Sequence, residues 1–257
     1  QRPVEKRPVE EHSGKERPAE ERRRALKKRF AVSVAVFCLL CGVSILLVRP
    51  IGVSITSRRQ AAAIASYVEA VGRLSAAERE TIKEQALEYN RRIAATRPYI
   101  WSSPYGDSLS DYQTALAVPG TDVIDYIEIP SINVSLPIYR FSSDRNMRRG
   151  CGHAESTSLP VGGTAAHSVI LSHPTMAEAV TFEHLDRLRV GDVFFVTVLT
   201  DTLTYRVESV RVVDPKKPED YAFGRVEEGR EICTLVTCTP KISNTHRLFV
   251  QGVRVAE

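Results

Sequence analysis

ICTLVTCTPKISNTHRLFVQGVRV, residues 232–255, consists of two apolar runs rich in β-branched residues with a polar break between them. The runs, 231–238 and 248–255, have the length and composition of strands. Paired as neighbours, they bring Cys238, which ends the first, close to Arg247, which opens the second. The same texture extends upstream to residue 121. Ile124 to Ile129 alternates and stops at Pro130, 134–139 follows, and 168–172 is a short apolar run of the buried type. Residues 193–199 and 203–213 flank Thr200-Asp201-Thr202, the pattern of a hairpin. A short helix is predicted over 177–188. Many short strands separated by turns indicate a mainly β domain over 121–257, built as a sandwich or a closed barrel.

Before residue 121 the chain changes character twice. RPYIWSSPYGDSLSDYQTALAVPG, residues 97–120, is dominated by proline, glycine, serine and aromatics. It is a loop of the length that is usually functional or disordered, and its Trp101 and Tyr105 suit a loop resting on an apolar surface. Residues 49–96 have helical periodicity. Ala61, Ile64, Val68, Val71 and Leu74 repeat at three and four, and Ser75-Ala76-Ala77-Glu78 has the form of a capping box. A second helix therefore starts there, runs through Ile82, Leu87 and Ile93, and stops before Pro98. The pair forms either a stalk or a pack against the β domain.

FAVSVAVFCLLCGVSILLV, residues 30–48, holds 19 residues without a charge. As a helix it is about 28 Å long, close to the roughly 30 Å hydrocarbon thickness of a bilayer. It is apolar all round, unlike an amphipathic core helix, and longer than the apolar region of a cleaved signal peptide. An uncleaved transmembrane anchor is expected, contacting membrane lipid through 30–48. Residues 1–29 are rich in Arg, Glu and Pro and read as a basic, disordered tail. The first 30 residues hold 11 Lys/Arg against 6 Asp/Glu, whereas the other 227 hold 24 against 25. The positive charge thus sits in a tail and not on the folded part, which argues against nucleic-acid binding. The basic cluster before the anchor places the N-terminus in the cytoplasm and the β domain outside the cell membrane.

Three side chains of the β domain have the attributes of a thiol acyl-transfer site. Cys238 ends one strand, His173 follows the apolar run of another, and Arg247 opens the last. A cysteine needs a base or a cation beside it to become a thiolate. An arginine holds positive charge near a developing oxyanion at any working pH.

TLVTC at 234–238 matches the nucleophile signature of sortases, threonine-leucine-any-threonine-cysteine. YIEIPSINVSLPIY at 126–139, GHAESTSLPVGG at 152–163, VILSH at 169–173 and NTHRLFVQGVRV at 244–255 resemble the class C, pilus-assembling members. The resemblance covers roughly residues 60–257, with the motifs in the order His, Cys, Arg. It implies an eight-stranded sortase-type β-barrel and a transpeptidase. Carried over, Cys238 is the nucleophile on the Thr–Gly bond of an LPXTG-like sorting signal, His173 the general acid and base, and Arg247 the stabiliser of the carbonyl or oxyanion. The implied partners are a pilin or surface protein bearing the signal and a pilin lysine amine as acceptor. A housekeeping enzyme that uses a peptidoglycan precursor, or a silent membrane-tethered scaffold, are the alternatives.

Class C members carry a lid loop with an Asp-Pro-aromatic motif over the cysteine. The loop at 97–120 is in the right place, and its matching residues are Ser103, Pro104 and Tyr105, with Trp101 as a competing aromatic. Serine in place of aspartate cannot ion-pair with Arg247, so a weaker latch is expected.

The remaining candidates read as structural. Strand alternation points Cys233 to the face opposite Cys238, into packing. His153, His167, His184 and His246 read as core or surface residues. There is no dense acidic loop with alternating ligands, since Asp107, Asp111 and Asp122 are scattered. Neither a metal nor another cofactor is expected.

Overall fold

The structure is a computed structural model that describes residues 17–96, 109–155, 157–176, 179–217, 229–241 and 243–255; the side chains of 17–21, 45–49, 95–96 and 109–110 are also outside the description. Residues 1–49 and 50–257 form two compact units.

In the first unit the expected disordered tail of 1–29 is corrected over its described residues, 17–29. Helix α1 (Arg17–Arg73) begins within it, because 19–29 consists of Ala, Glu, Arg, Leu and Lys, all strong helix formers. The basic residues 22–29 and the described apolar side chains after them are exposed, Phe30, Phe37, Leu39 and Leu40 among them. Among the described residues no helix is long and apolar enough to cross a membrane. The side chains of 45–49, inside the apolar run, are not among those described.

The second unit is built on a closed barrel. Among the described residues its strands are β1 (Val123–Ile129), β2 (Val134–Tyr139), β3 (Cys151–His153), β4 (His167–Leu171), β5 (Val193–Val198), β6 (Asp201–Val213), β7 (Ile232–Thr239) and β8 (His246–Arg254). Their order around the barrel is β1-β2-β3-β4-β7-β8-β6-β5. Closure leaves no unpaired strand edge. Ile127, Ile129, Leu136, Ile138, Phe194 and Leu235 are fully buried in the core.

Helix α2 (Ala76–Thr96) begins as the capping box requires. Ser75 N–H donates to Glu78 Oε2 at 2.8 Å and Glu78 N–H donates to Ser75 Oγ at 3.2 Å. Of the two arrangements expected for the helices, packing against the barrel is the one observed. Tyr67 Oη accepts from Leu199 N–H at 2.7 Å. The Asn90 amide donates to the carbonyls of Leu159 and Gly162, both at 2.9 Å, and its oxygen accepts from Leu159 N–H at 2.7 Å. A buried side chain that spans two loops with all its bonds made ties helix to barrel specifically.

Helix α3 (Leu109–Thr114) falls within the 97–120 loop. Its Tyr112 is buried, stacks on His153 with ring centroids 5.6 Å apart, and donates to His153 Nδ1 at 2.8 Å. The lid candidates Trp101, Ser103, Pro104 and Tyr105 lie outside the described residues.

Two sequence expectations fail locally. The helix expected over 177–188 does not form. Its described part makes a Met176–Ala179 bridge and a single 3-10 turn, Leu185–Arg187. Phe182 is buried and its N–H bonds to the His173 carbonyl at 3.1 Å, which folds the segment back on the end of β4. Strand β3 was not expected, since three residues containing a glycine give no periodic signal. That glycine is required by packing: a Cβ on Gly152 would stand 2.7 Å from the Phe141 carbonyl oxygen.

Candidate active site

The end of β7 lies between β4 and β8, and the site is assembled from these three strands. Strands β7 and β8 are antiparallel with Cys238 directly opposite Arg247. Directly opposed residues project to the same face, with Cβ atoms about 4.5–5.5 Å apart. On the other side β4 runs parallel to β7, with Leu171 level with Val236. Beyond that point Ser172 N–H donates to the Val236 carbonyl at 3.2 Å, and Thr237 Oγ donates to the Ser172 carbonyl at 2.9 Å. His173 and Cys238 are each the next residue after this crosslink. The three expected residues therefore converge on one rim of the barrel.

Cys238 is half-buried and its strand alternates as expected. Cys233 and Leu235 face the barrel core, whereas Val236 packs in a separate outer cluster with Val169, Leu171 and Phe249. Cys238 shares the outer face with Val236. Cys151 and Cys233 are free and fully buried, and burial pushes both thiols up. A thiol held protonated in the core is not a nucleophile, so Cys238 is the thiol of the barrel suited to that role.

Arg247 Nη1 donates to the carbonyls of Asn244 and His246, both at 3.0 Å. Asn244 has a left-handed φ of 53° and its N–H bonds to the Pro240 carbonyl at 2.9 Å. The guanidinium thus fastens the β7–β8 loop while remaining on the Cys238 face.

One partner of the site was not found from the sequence. Asp144 opens the one-turn helix α4 (Asp144–Met147), and its Oδ1 lies 3.1 Å from His173 Nε2. Its Oδ2 accepts from Arg148 Nε at 2.7 Å, and that hydrogen bond is the main cause holding the carboxyl below the usual range. Ser143, which caps α4, is the only local signal; nothing in the order of residues says that Asp144 meets His173. The roles of Ser172 and Thr237 as a crosslink were missed for the same reason.

His153 and His167 are core histidines, as expected. His153 is fully buried; its Nε2–H donates to the Ser158 carbonyl at 2.8 Å, and desolvation pushes its pKa down to about 4. His167 meets Thr234 Oγ at 2.8 Å, and desolvation pushes it down to about 3.

A groove of about 450 Å³ opens beside Cys238, lined by Pro174, Phe182, Asp186, Lys241 and Leu248 among others. A larger one of about 1060 Å³ runs along α2 and α3, with Glu84, Glu88, Arg91, Arg92 and Asp111 among its lining residues. Cys238 lines the first.

The sortase domain family matches residues 127–255. Sortase C1 from Streptococcus agalactiae is 35% identical in its crystal structure, with a TM-score of 0.70, covering 76% of this chain and 98% of that one. Sortase C-1 from Actinomyces oris is 38% identical with a TM-score of 0.62, covering 69% and 99%. A lid mutant of sortase A from Corynebacterium diphtheriae is 34% identical with a TM-score of 0.64, covering 71% and 96%. Sortase A of Bacillus anthracis is 27% identical over 130 residues, which span 51% of this chain and 59% of that protein.

Proposed function

The chain belongs to the sortase family, class C by its solved relatives, and on that premise we propose that it is a membrane-anchored cysteine transpeptidase that polymerises pilins. The observation that carries this reading is the register of Cys238 opposite Arg247, with His173 two residues beyond the end of the neighbouring strand β4. A nucleophile, a proton carrier and a fixed cation on one rim are the parts that acyl transfer needs.

In the first half-reaction the Cys238 thiolate attacks the threonine carbonyl carbon of an LPXTG-like signal. Arg247 stabilises the oxyanion of the tetrahedral intermediate. The threonine–glycine C–N bond breaks, and protonated His173 gives its proton to the departing amine. A thioester on Cys238 remains. In the second half-reaction a pilin lysine amine attacks the thioester, neutral His173 takes the amine's proton, and the Cys238 thiolate leaves. The product is an isopeptide bond. In this scheme only enzyme with thiolate and imidazolium present together starts the cycle.

Membrane attachment through 30–48 is part of the proposal. It is supported by the length and uniform apolarity of the run and by the six basic residues in 22–29 that precede it. A lid formed by the part of the 97–120 loop before α3, with Ser103, Pro104 and Tyr105 or Trp101 covering Cys238, is also part of the proposal. Serine at 103 gives it no charge to pair with Arg247.

The test is mass spectrometry of the full chain incubated with a sorting-signal peptide. A thioester adduct on the wild type that is absent from Cys238→Ala supports the reading; its absence from the wild type rejects it. Adding pilin then identifies the acceptor. A ladder of covalent multimers marks pilus assembly, and transfer only to a peptidoglycan-precursor amine marks the housekeeping alternative.

A further inference from the structure

The catalytic rim contains a carboxylate that the three-residue site does not use. Around the barrel the strand order β3-β4-β7-β8 sets four groups in a row. The segment leading into β3 carries Asp144, the exit of β4 carries His173, the exit of β7 carries Cys238, and the entry of β8 carries Arg247. His173 is thus flanked by Asp144 on one side and by Cys238 on the other. Asp144 Oδ1 stands 3.1 Å from His173 Nε2, and among the described residues no hydrogen bond reaches Nδ1.

The Asp144 side chain is mostly exposed, and the backbone that carries it is held from several directions. Ser143 Oγ caps α4 by accepting from Asn146 N–H at 3.3 Å. Asn146 Nδ2 donates back to the Phe141 carbonyl at 3.2 Å, and Gly152 of β3 packs against that same peptide. Ser172 Oγ donates to the Gly150 carbonyl at 3.0 Å, joining the entry of β3 to the exit of β4. Arg148 occupies the second carboxylate oxygen and leaves Oδ1 turned toward the ring. The His173 backbone is fixed in turn by Phe182 N–H. Both ends of the contact are therefore mounted on the barrel rim.

We propose that Asp144 is a positioning residue for His173: it accepts the hydrogen of Nε2 and thereby assigns Nδ1 as the atom that exchanges the proton with the leaving and attacking amines. This rests on the transpeptidase reading above. A histidine's proton-bearing nitrogen is set by the hydrogen bond the other nitrogen makes. With a carboxylate on Nε2, the neutral ring keeps its hydrogen there and presents a lone pair at Nδ1. Protonation then adds a hydrogen at Nδ1, and the carboxylate stabilises the resulting imidazolium. Asp144 touches no substrate and forms no covalent bond.

The test uses the full chain in detergent micelles, labelled with 15N at its six histidines. His173 is assigned by its loss in His173→Gln. In the wild type the neutral ring shows an Nε2–H tautomer with a pyridine-like Nδ1. Asp144→Ala gives a mixture of tautomers and lowers kcat by about fivefold, the factor that an exposed charge pair at the upper end of its range supplies, with KM within twofold. Asp144→Asn, whose amide oxygen still accepts from Nε2–H, retains the wild-type tautomer and loses less activity than Asp144→Ala. An unchanged 15N pattern in Asp144→Ala, or an Nδ1–H tautomer in the wild type, overturns the proposal. Thioester formation on Cys238 is recorded on the same samples. If the wild type forms none, the transpeptidase reading has failed; if it does and the tautomer is insensitive to Asp144, only this assignment has failed.

Discussion

Cys238 and Arg247 face each other as a directly opposed pair in the antiparallel β7–β8 ladder. The backbones that carry the sulfur and the guanidinium are therefore held in register by the ladder. Because the same guanidinium also holds the carbonyls of Asn244 and His246, its orientation is set before any substrate arrives. In the proposed mechanism a charge held in this way costs no reorganisation when the oxyanion forms.

Arg247→Ala is expected to lower kcat by roughly 10²–10³-fold, the effect of removing one oxyanion stabiliser. Arg247→Lys retains the charge but not the planar fork, and is expected to recover only part of the loss. Steady-state transpeptidation of a sorting-signal peptide, with circular dichroism to confirm folding, measures both. A kcat within twofold of wild type for Arg247→Ala removes Arg247 from the mechanism.

The Thr237–Ser172 hydrogen bond is the crosslink that brings the exits of β4 and β7 level. Thr237→Val keeps the shape and deletes the donor. It should cost about 1 kcal/mol of stability, the typical net value of such a bond. Since His173 and Cys238 are the next residues along, kcat should fall as well. Urea unfolding and kinetics on the same preparation check this; a lower unfolding midpoint with unchanged kcat shows that the crosslink supports the fold but not the alignment.

Asp125 lies on β1, fully buried, and among the described residues neither of its carboxyl oxygens has a hydrogen-bond partner. Desolvation pushes its pKa well above the usual carboxylate range, with Arg140 opposing the shift. The folded state therefore binds this proton more tightly than the unfolded chain. The group's contribution is fully present below the unfolded value of about 3.9 and is lost as the pH rises toward the folded one. Asp125→Asn removes that loss, and should be more stable than the wild type at pH 8 by about 1–3 kcal/mol, with the advantage shrinking at pH 5. Urea midpoints at the two pH values measure it. An advantage equal at both would show that titration of Asp125 is not the cause.

Native-state alkylation should separate the thiols. Cys238 is half-buried on the outer face, whereas Cys151 and Cys233 are fully buried with raised pKa values. Of the three barrel thiols, iodoacetamide is expected to label Cys238 and leave Cys151 and Cys233 unmodified until the protein unfolds, with peptide mapping separating them from Cys38 and Cys41. Deletion of 100–108 should speed the labelling of Cys238 if the loop is a lid. An unchanged rate rejects the gate.

Much of the architecture was legible because it is local. The strands from Val123 to Arg254 declare themselves through β-branched, apolar runs bounded by turns, and Ser75 with Glu78 marks the start of α2 within a few residues of chain. The described part of 177–188 departs from the expected helix, and its Phe182 N–H bonds to the His173 carbonyl at the exit of β4. Strand β3 was invisible because three residues are too few to show a period.

The amino-acid order by itself determined the residue types of the site and their place at strand ends, since a nucleophile signature and strand texture are both written in short windows. It could not determine which strands are neighbours. Packing decided that β7 lies between β4 and β8, and with it the single rim shared by His173, Cys238 and Arg247. The same closure brought Asp144, 29 residues before His173 along the chain, to 3.1 Å from its ring. A contact of that kind leaves no trace in sequence spacing, because barrel closure alone sets the distance.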